Sequence, residues 1–312
     1  MSILVASQCQ NTTQTLIFDG NHMQYIDSLE EIIPSYNIIL CDIWGCIHNG
    51  VQAFDKAVGT LVRAREHFNI PVVLISNSPR PSPHVITQMH QLGISPECYD
   101  GVVTSGDLML IFIQNNLSGA FFFIGPQQHL LALGELNVNK ITSIKEADYI
   151  VCTAPFNTDD NIDDYMNIIE TGISRDIPFI CGNPDMHVYH GNNLHICAGS
   201  IAKIFSNHGG KVIYHGKPYS LIYEHAKQHI LSIEHAFTSV LAIGDGIGTD
   251  ITGANRMGFD SLLIARGLHH KKIMKCHHSY DAPQTDKICK DALIMLCDEY
   301  NEYPSYVIPS LI

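Results

Sequence analysis

The strongest constraint on this chain is a repeated punctuation: short apolar runs that stop at polar residues. NIILC stops at Asp42, VVLI at Ser76 and Asn77, VIYHG at Lys217, and VLAIG at Asp245. Runs of this length and polarity suit parallel strands covered on both faces. Between the first runs, DKAVGTLVRAREHF and HVITQMHQLG carry apolar residues at helical spacing, and Gly93 stands near a C-terminal cap. The alternation predicts an α/β fold, a parallel sheet flanked by helices. In open parallel sheets, ligands lie outside the carboxyl ends of the strands. The polar residues at those four ends are therefore the candidate site.

The same cadence continues along the chain. GAFFFIG, ADYIVCTAP, IPFICGNPD and DSLLIARG read as strands. DDNIDDYMNIIETGIS, AGSIAKIFSNHGG and TDITGANRMG read as helices. YIDSLEEIIPSY has apolar residues at helical spacing and is expected to end at Pro34. Residues 268–312 read as a helix plus a tail.

Length and charge narrow the function. A chain of 312 residues is long for one core and suits a large domain plus a smaller one. A net charge of -13 disfavours nucleic acid and anionic membrane as partners, because both need local Lys and Arg excess. No apolar stretch approaches the ~18–20 residues of a spanning helix, and the start of the chain lacks a basic leader. A cytoplasmic location is expected. No two of the ten cysteines have C-x-x-C spacing, so they read as buried reduced thiols. The 18 histidines, including the pairs His269–His270 and His277–His278, read as ordinary surface and loop residues.

The four strand ends suit phosphoryl transfer. A carboxylate can attack phosphorus and split hydrolysis into two easier steps. Nucleophile and substrate are both anionic, so the reaction needs charge compensation from a cation held by carboxylates and from a lysine. A hydroxyl can hold phosphoryl oxygens. Asp42, Asp245, Asp250, Lys217 and Ser76 fit these roles by type. The GDGIGTD cluster tempts a nicotinamide-binding reading, but Thr249 stands where the last glycine is needed and the cluster lies late in the chain.

In order, Asp42 to Gly50 (DIWGCIHNG), Ser76-Asn77-Ser78, Gly216-Lys217-Pro218 and Gly244 to Asp250 (GDGIGTD) resemble the four motifs of the haloacid-dehalogenase superfamily, class IIA. The likeness covers about residues 37–267, and the D-x-W-G-x-x-H variant resembles one subfamily of that class. Thr104-Ser105-Gly106-Asp107 and Asn183-Pro184-Asp185 resemble its cap-region signatures. The resemblance implies a Rossmann-like core over residues 37–114 and 212–312, a C2-type α/β cap over 115–211, and an N-terminal extension over 1–36. It implies a magnesium-dependent phosphomonoesterase acting on a small phosphorylated metabolite, of sugar or nucleotide phosphate type, through an aspartyl-phosphate. Asp42 would be nucleophile and metal ligand. The Trp44 carbonyl and Asp245 would complete the protein's Mg2+ ligands, with Asp250 orienting that shell. Lys217 would neutralise charge. Ser76 would hold the phosphoryl group, with Trp44, Gly45 and Asn77 also in contact with phosphate or substrate. Asn183 and Asp185 would face the site from the cap. Caps of this type often pair subunits, which allows a homodimer.

One position departs from the pattern. The family's phosphatases carry an acid two residues after the nucleophile, and here that residue is Trp44. An indole does no acid–base work near neutral pH. Losing a general acid typically forfeits ~10²–10⁴-fold in rate. His48 can substitute, the leaving group can depart unaided, or the protein binds a phosphorylated ligand with hydrolysis impaired. Asp185 on the cap loop is a further candidate acid. Ser78, Arg80 and Asn49 read as surface positions, with contact to phosphate or substrate the alternative.

Overall fold

The structure, a computed structural model, describes residues 23–132, 139–231, 238–274 and 287–312. Cys9, Cys276 and the His277–His278 pair lie outside them.

The predicted strand at the first motif spans Ile38–Asp42, all buried, at the centre of a seven-stranded sheet. In spatial order the strands are Gln24–Tyr25, Tyr306–Ile308, Asp260–Ile264, Val240–Gly244, Ile38–Asp42, Val72–Ser76 and Gly101–Thr104. Every neighbouring pair is parallel. From Ile38–Asp42 the chain first builds to one side, then returns to place Val240–Gly244 on the other. That reversal opens a crevice at the carboxyl ends of those two strands. Asp42 and Asp245 sit on either side of it.

Alternation along the central strand explains why it is apolar throughout. Ile39 and Cys41 pack with Ala57 and Leu61 of helix Asp55–Glu66 and with Val85 and Met89 of helix Ser82–Gln91. Ile38 and Leu40 pack on the opposite face with Ile222, Tyr223 and Ala226 of helix Ser220–Leu231. Each such side chain contributes roughly 1.5–3 kcal/mol by leaving water.

A second parallel sheet, in the order Val212–Tyr214, Phe179–Cys181, Tyr149–Cys152, Ala120–Ile124 and Asn139–Ile141, lies within the stretch expected to form the cap. It extends past the expected boundary at residue 211, because Val212–Tyr214 pairs with Phe179–Cys181. An antiparallel hairpin, His187–His190 with Asn193–Ile196, projects from this part of the chain. Helix Ser105–Asn116 joins the two sheets: its Met109 and Ile113 pack with Phe121, Tyr149 and Ile180.

Several expectations need correction. Residues 23–36 are not simply an extension, since Gln24–Tyr25 pairs with Tyr306–Val307 in the large sheet. The tail after helix Lys290–Tyr300 supplies that partner strand. YIDSLEEIIPSY forms two 3₁₀ turns, Leu29–Glu31 and Ile33–Ser35, with Pro34 inside the second. Its helical spacing reports only that Leu29 and Ile33 are buried. Thr104-Ser105-Gly106-Asp107 lies at the edge strand of the large sheet. There Thr104 Oγ1 accepts from Asp107 N at 3.1 Å, while Thr104 N donates to Asp107 Oδ2 at 3.0 Å, forming a capping box. No helix among the described residues is long and apolar enough to cross a membrane.

The strand formed by the tail is predicted to be integral. Ile308→Ala should cost roughly 2–4 kcal/mol, read as a lower urea midpoint at unchanged slope. A loss near zero would show the tail to be loosely attached.

Candidate functional site

Three strand ends and one turn converge on Lys217, which itself follows a fourth strand, Val212–Tyr214. Its ammonium, 2% exposed, donates to Asp42 Oδ1, to Asp250 Oδ1 at 2.7 Å and to the Ile75 carbonyl at 3.2 Å. Asp42 ends one central strand and Asp245 follows its neighbour. Asp250 sits in a π-type turn, Ile247–Ile251, in which its amide donates to Gly246 O at 2.8 Å and its Oδ2 accepts from Gly246 N at 3.0 Å. Both carboxylate oxygens of Asp250 are thus engaged by protein.

The electrostatics follow from burying several acids around one amine. Burial pushes Asp42 up to about 7, against the pull of Lys217. Burial and the charges of Asp42 and Asp250 hold Asp245 well above the usual carboxylate range. Burial opposes the Lys217 charge, but Asp250, Asp42 and Asp185 together keep its pKa well above the ordinary lysine value.

Asp42, Asp245 and Cys46 place one ligand atom each within 4.8 Å of one another. The two carboxylates offer hard oxygen donors, the kind that suits magnesium or calcium. Burial keeps the Cys46 thiol well above its normal pKa, so it stays protonated and is a poor ligand for such an ion. Gly45, at φ +87°, lets the chain pass this close: a Cβ there would come within 1.9 Å of Asp245 Oδ2. Asp245 Oδ2 also accepts from Leu268 N at 2.7 Å.

These acids lie at one end of a cavity of about 690 Å³. Trp44, Gly45, Ser76, Asn77, Asn183, Asp185 and Lys217 line it. Ser76 Oγ accepts from Ser78 N at 3.1 Å, which leaves its proton available. Asn77 has a different role from the expected phosphate contact. Its Oδ1 accepts from Lys217 N at 2.7 Å, and its Nδ2 donates to Lys217 O at 3.1 Å and to Asp185 Oδ1 at 2.8 Å. Asn77 therefore clamps the lysine loop and Asp185 together. Gly45 N likewise donates to His48 O at 2.7 Å and has nothing left for phosphate. Asn183 Oδ1 accepts from Asp185 N at 3.0 Å and fixes that turn. Burial raises Asp185 to about 6, opposed by Lys217 and Asn77.

His48 is not brought to the cavity. It is 1% exposed, lies outside the cavity lining, and its Nδ1 accepts from Gly50 N at 3.0 Å. Burial, with the Arg80 charge, lowers it to about 4, so it is neutral at pH 7. Its ring meets Trp44 edge-on at 5.0 Å between centroids. Trp44 in turn donates from Nε1 to Tyr189 O at 2.6 Å, tying the hairpin to the loop that follows Asp42. Gly191 N donates to Asn49 O at 3.1 Å beside it.

Sequence reasoning passed over part of the lining. Ser78, Arg80 and Asn49, for which a surface position and a substrate contact were both open readings, line the cavity, and so do five of the histidines. Three of those, His187, His190 and His195, come from the hairpin, and the Gly191-Asn192 turn was the signal that could have shown it.

Comparison with known proteins agrees with this geometry. A model of haloacid dehalogenase-like hydrolases matches residues 39–139, and a second, HAD-hydrolase-like, matches 214–292. No curated protein matches the chain. Among solved structures, a haloacid dehalogenase-like hydrolase from Brucella suis is 33% identical, covering 92% of this chain and all of its own, with a TM-score of 0.78. A possible sugar phosphatase from Cytophaga hutchinsonii is 21% identical, covering 92% of this chain and 98% of its own, with a TM-score of 0.72. A glycerol phosphate phosphatase from Mycobacterium tuberculosis, in complex with magnesium, is 19% identical, covering 79% of this chain and 73% of its own, with a TM-score of 0.58.

The buried acids make a pH prediction. Asp42 has a folded pKa of about 7 and an unfolded value of ~3.9. Its raised pKa gives stability that is full below the unfolded value and lost as pH rises through about 7. In chelator-treated protein, the unfolding free energy of wild type relative to Asp42→Asn should fall between pH 4 and pH 8. A relative rise would contradict the raised pKa. With a 33% identical relative matched over its full length and two family models matching the strands that carry the acids, the chain belongs to the haloacid dehalogenase-like hydrolase family.

Proposed function

We propose that the chain is a magnesium-dependent phosphomonoesterase acting on a small phosphorylated metabolite, of sugar or nucleotide phosphate type, through an aspartyl-phosphate on Asp42. The observation that carries this reading is the Lys217 ammonium bridging Asp42 and Asp250 at the foot of the cavity. Phosphatase relatives with the same fold, one of them in complex with magnesium, support it.

Asp42, Asp245 and the Trp44 carbonyl would hold the cation, with Asp250 behind them. When bound, it supplies positive charge that offsets the carboxylates and the phosphoryl oxygens. Asp42 Oδ2 makes no hydrogen bond among the described residues, and Oδ1 is held by Lys217. A carboxylate oxygen fixed in this way forms the new bond to phosphorus while the ester P–O bond breaks. Lys217 and the Ser76 hydroxyl stabilise the phosphoryl oxygens. Water then attacks phosphorus as the bond to Asp42 breaks, and it gives its proton to the Asp185 carboxylate.

The departing alkoxide needs a proton. Trp44 has none to give, since its N–H is committed to Tyr189. Of the lining carboxylates, Asp185 is held through Oδ1 by Asn77 Nδ2 at 2.8 Å, and its pKa, raised to about 6, suits an acid working at neutral pH. Asp185 is assigned that role in place of His48. A second reading, a ligand-binding protein with impaired turnover, is favoured by Trp44 alone.

One set of assays decides. Purified protein should hydrolyse p-nitrophenyl phosphate with magnesium and lose the activity in chelator. Asp185→Asn should slow alkyl phosphates by ~10²–10⁴-fold and the aryl ester far less, because nitrophenolate leaves without an acid. Silence on the aryl ester would establish the binding reading. Equal losses on both esters would remove Asp185 as the acid.

A further inference from the structure

The cavity is divided by charge in a way that phosphoryl transfer alone does not require. Its lining holds four carboxylates, Asp42, Asp185, Asp245 and Asp250, and the Lys217 charge acts on or bonds to each of them. The rest of the lining contains no acid, although the chain carries 31 Asp and Glu against 18 Lys and Arg. It contains Arg80, Arg266 and five histidines.

Arg80 is the distinctive member. Its guanidinium is half-buried and donates to Gln88 Oε1, and among the described residues no carboxylate pairs with it. An unpaired cation withdrawn from water is costly and normally finds an anion. Burial lowers the Arg80 pKa, yet its charge is still felt at the His48 and His129 rings. The segment bearing it is rigid. Arg80 N donates to Ser78 Oγ at 3.3 Å, and Gly106 N donates to Ser78 O at 3.0 Å. Gly106 lets its helix press on this segment, since a Cβ there would lie 2.5 Å from Pro79 O.

We propose that Arg80 seats a second anionic group of the substrate, so that the substrate class is a small phosphomonoester bearing a carboxylate or a second phosphate. This deepens the proposed function and rests on the phosphoryl group lying at Asp42 and Lys217. Arg80 lies four positions after Ser76, which spans at most about 14 Å of chain, so both anions belong to one small molecule. A planar guanidinium accepts either group as a two-pronged anion.

Binding tests this independently of turnover. In Asp42→Asn with magnesium, calorimetry would compare glycerol 3-phosphate with 3-phosphoglycerate, and fructose 6-phosphate with fructose 1,6-bisphosphate. The first pair isolates an added carboxylate and the second an added phosphate. At least one member carrying the second anionic group should bind about tenfold or more tightly than its partner. Arg80→Gln should erase that preference, and Arg80→Lys, which keeps the charge but not the fork, should retain part of it. Equal affinities in both pairs, binding of none of the four, or a preference that survives Arg80→Gln would overturn the proposal. Failure of wild type to hydrolyse any phosphate would count against the phosphatase reading and leave this comparison to be decided by its own result.

Discussion

The Lys217 ammonium is 2% exposed and bonded to two carboxylates, and most of the site's geometry can be traced to it. Taking such a charge out of water costs several kcal/mol, and the cost is offset only when partners are well placed. Asp42 and Asp250 provide two partners, and Asn77 fixes the lysine's backbone on both sides. Three strand ends and the π-type turn must therefore hold register for the amine to be satisfied. The parallel sheet provides that register, because its strands are buried on both faces and cannot slip without exposing one of them.

Positive charge at that point explains why acids can gather there. Even so, the carboxylates exceed the single amine, and burial drives Asp42 and Asp245 upward. Such a cluster is poised to exchange protons for a divalent cation. Trp44, where a second acid is usual in the family, lies between this cluster and the hairpin. It links the loop that follows Asp42 to His187–His190 through Tyr189. The indole thus exchanges proton chemistry for a connection between the two parts of the cavity wall.

Much of this was legible in the sequence because strands that end at functional loops leave an abrupt change from apolar to polar. Asp42, Ser76, Lys217 and Asp245 stood out for that reason, and the structure brings them to one cavity. The rest depended on tertiary contacts that have no periodicity. Asn77 reads as a phosphate contact until its three partners are seen, and His48 reads as an acid until its burial is seen. Arg80 stayed open between a surface position and a substrate contact because its backbone packs against Gly106, 26 positions later. Tyr306–Ile308 was obscured by its brevity, and YIDSLEEIIPSY misled because burial every third or fourth residue, at Ile26, Leu29, Ile33 and Tyr36, also fits consecutive 3₁₀ turns.

The central claim is that Asp42 is the atom donor in an aspartyl-phosphate. It can be tested by quenching the protein during turnover of an aryl phosphate, reducing with borohydride and locating the modification by peptide mass. An acyl-phosphate is reduced to the alcohol, whereas a free carboxylate is untouched. The account predicts reduction at Asp42 alone, dependent on both substrate and magnesium. Turnover with no reduced residue, or with reduction at Asp245, Asp250 or Asp185, would contradict it.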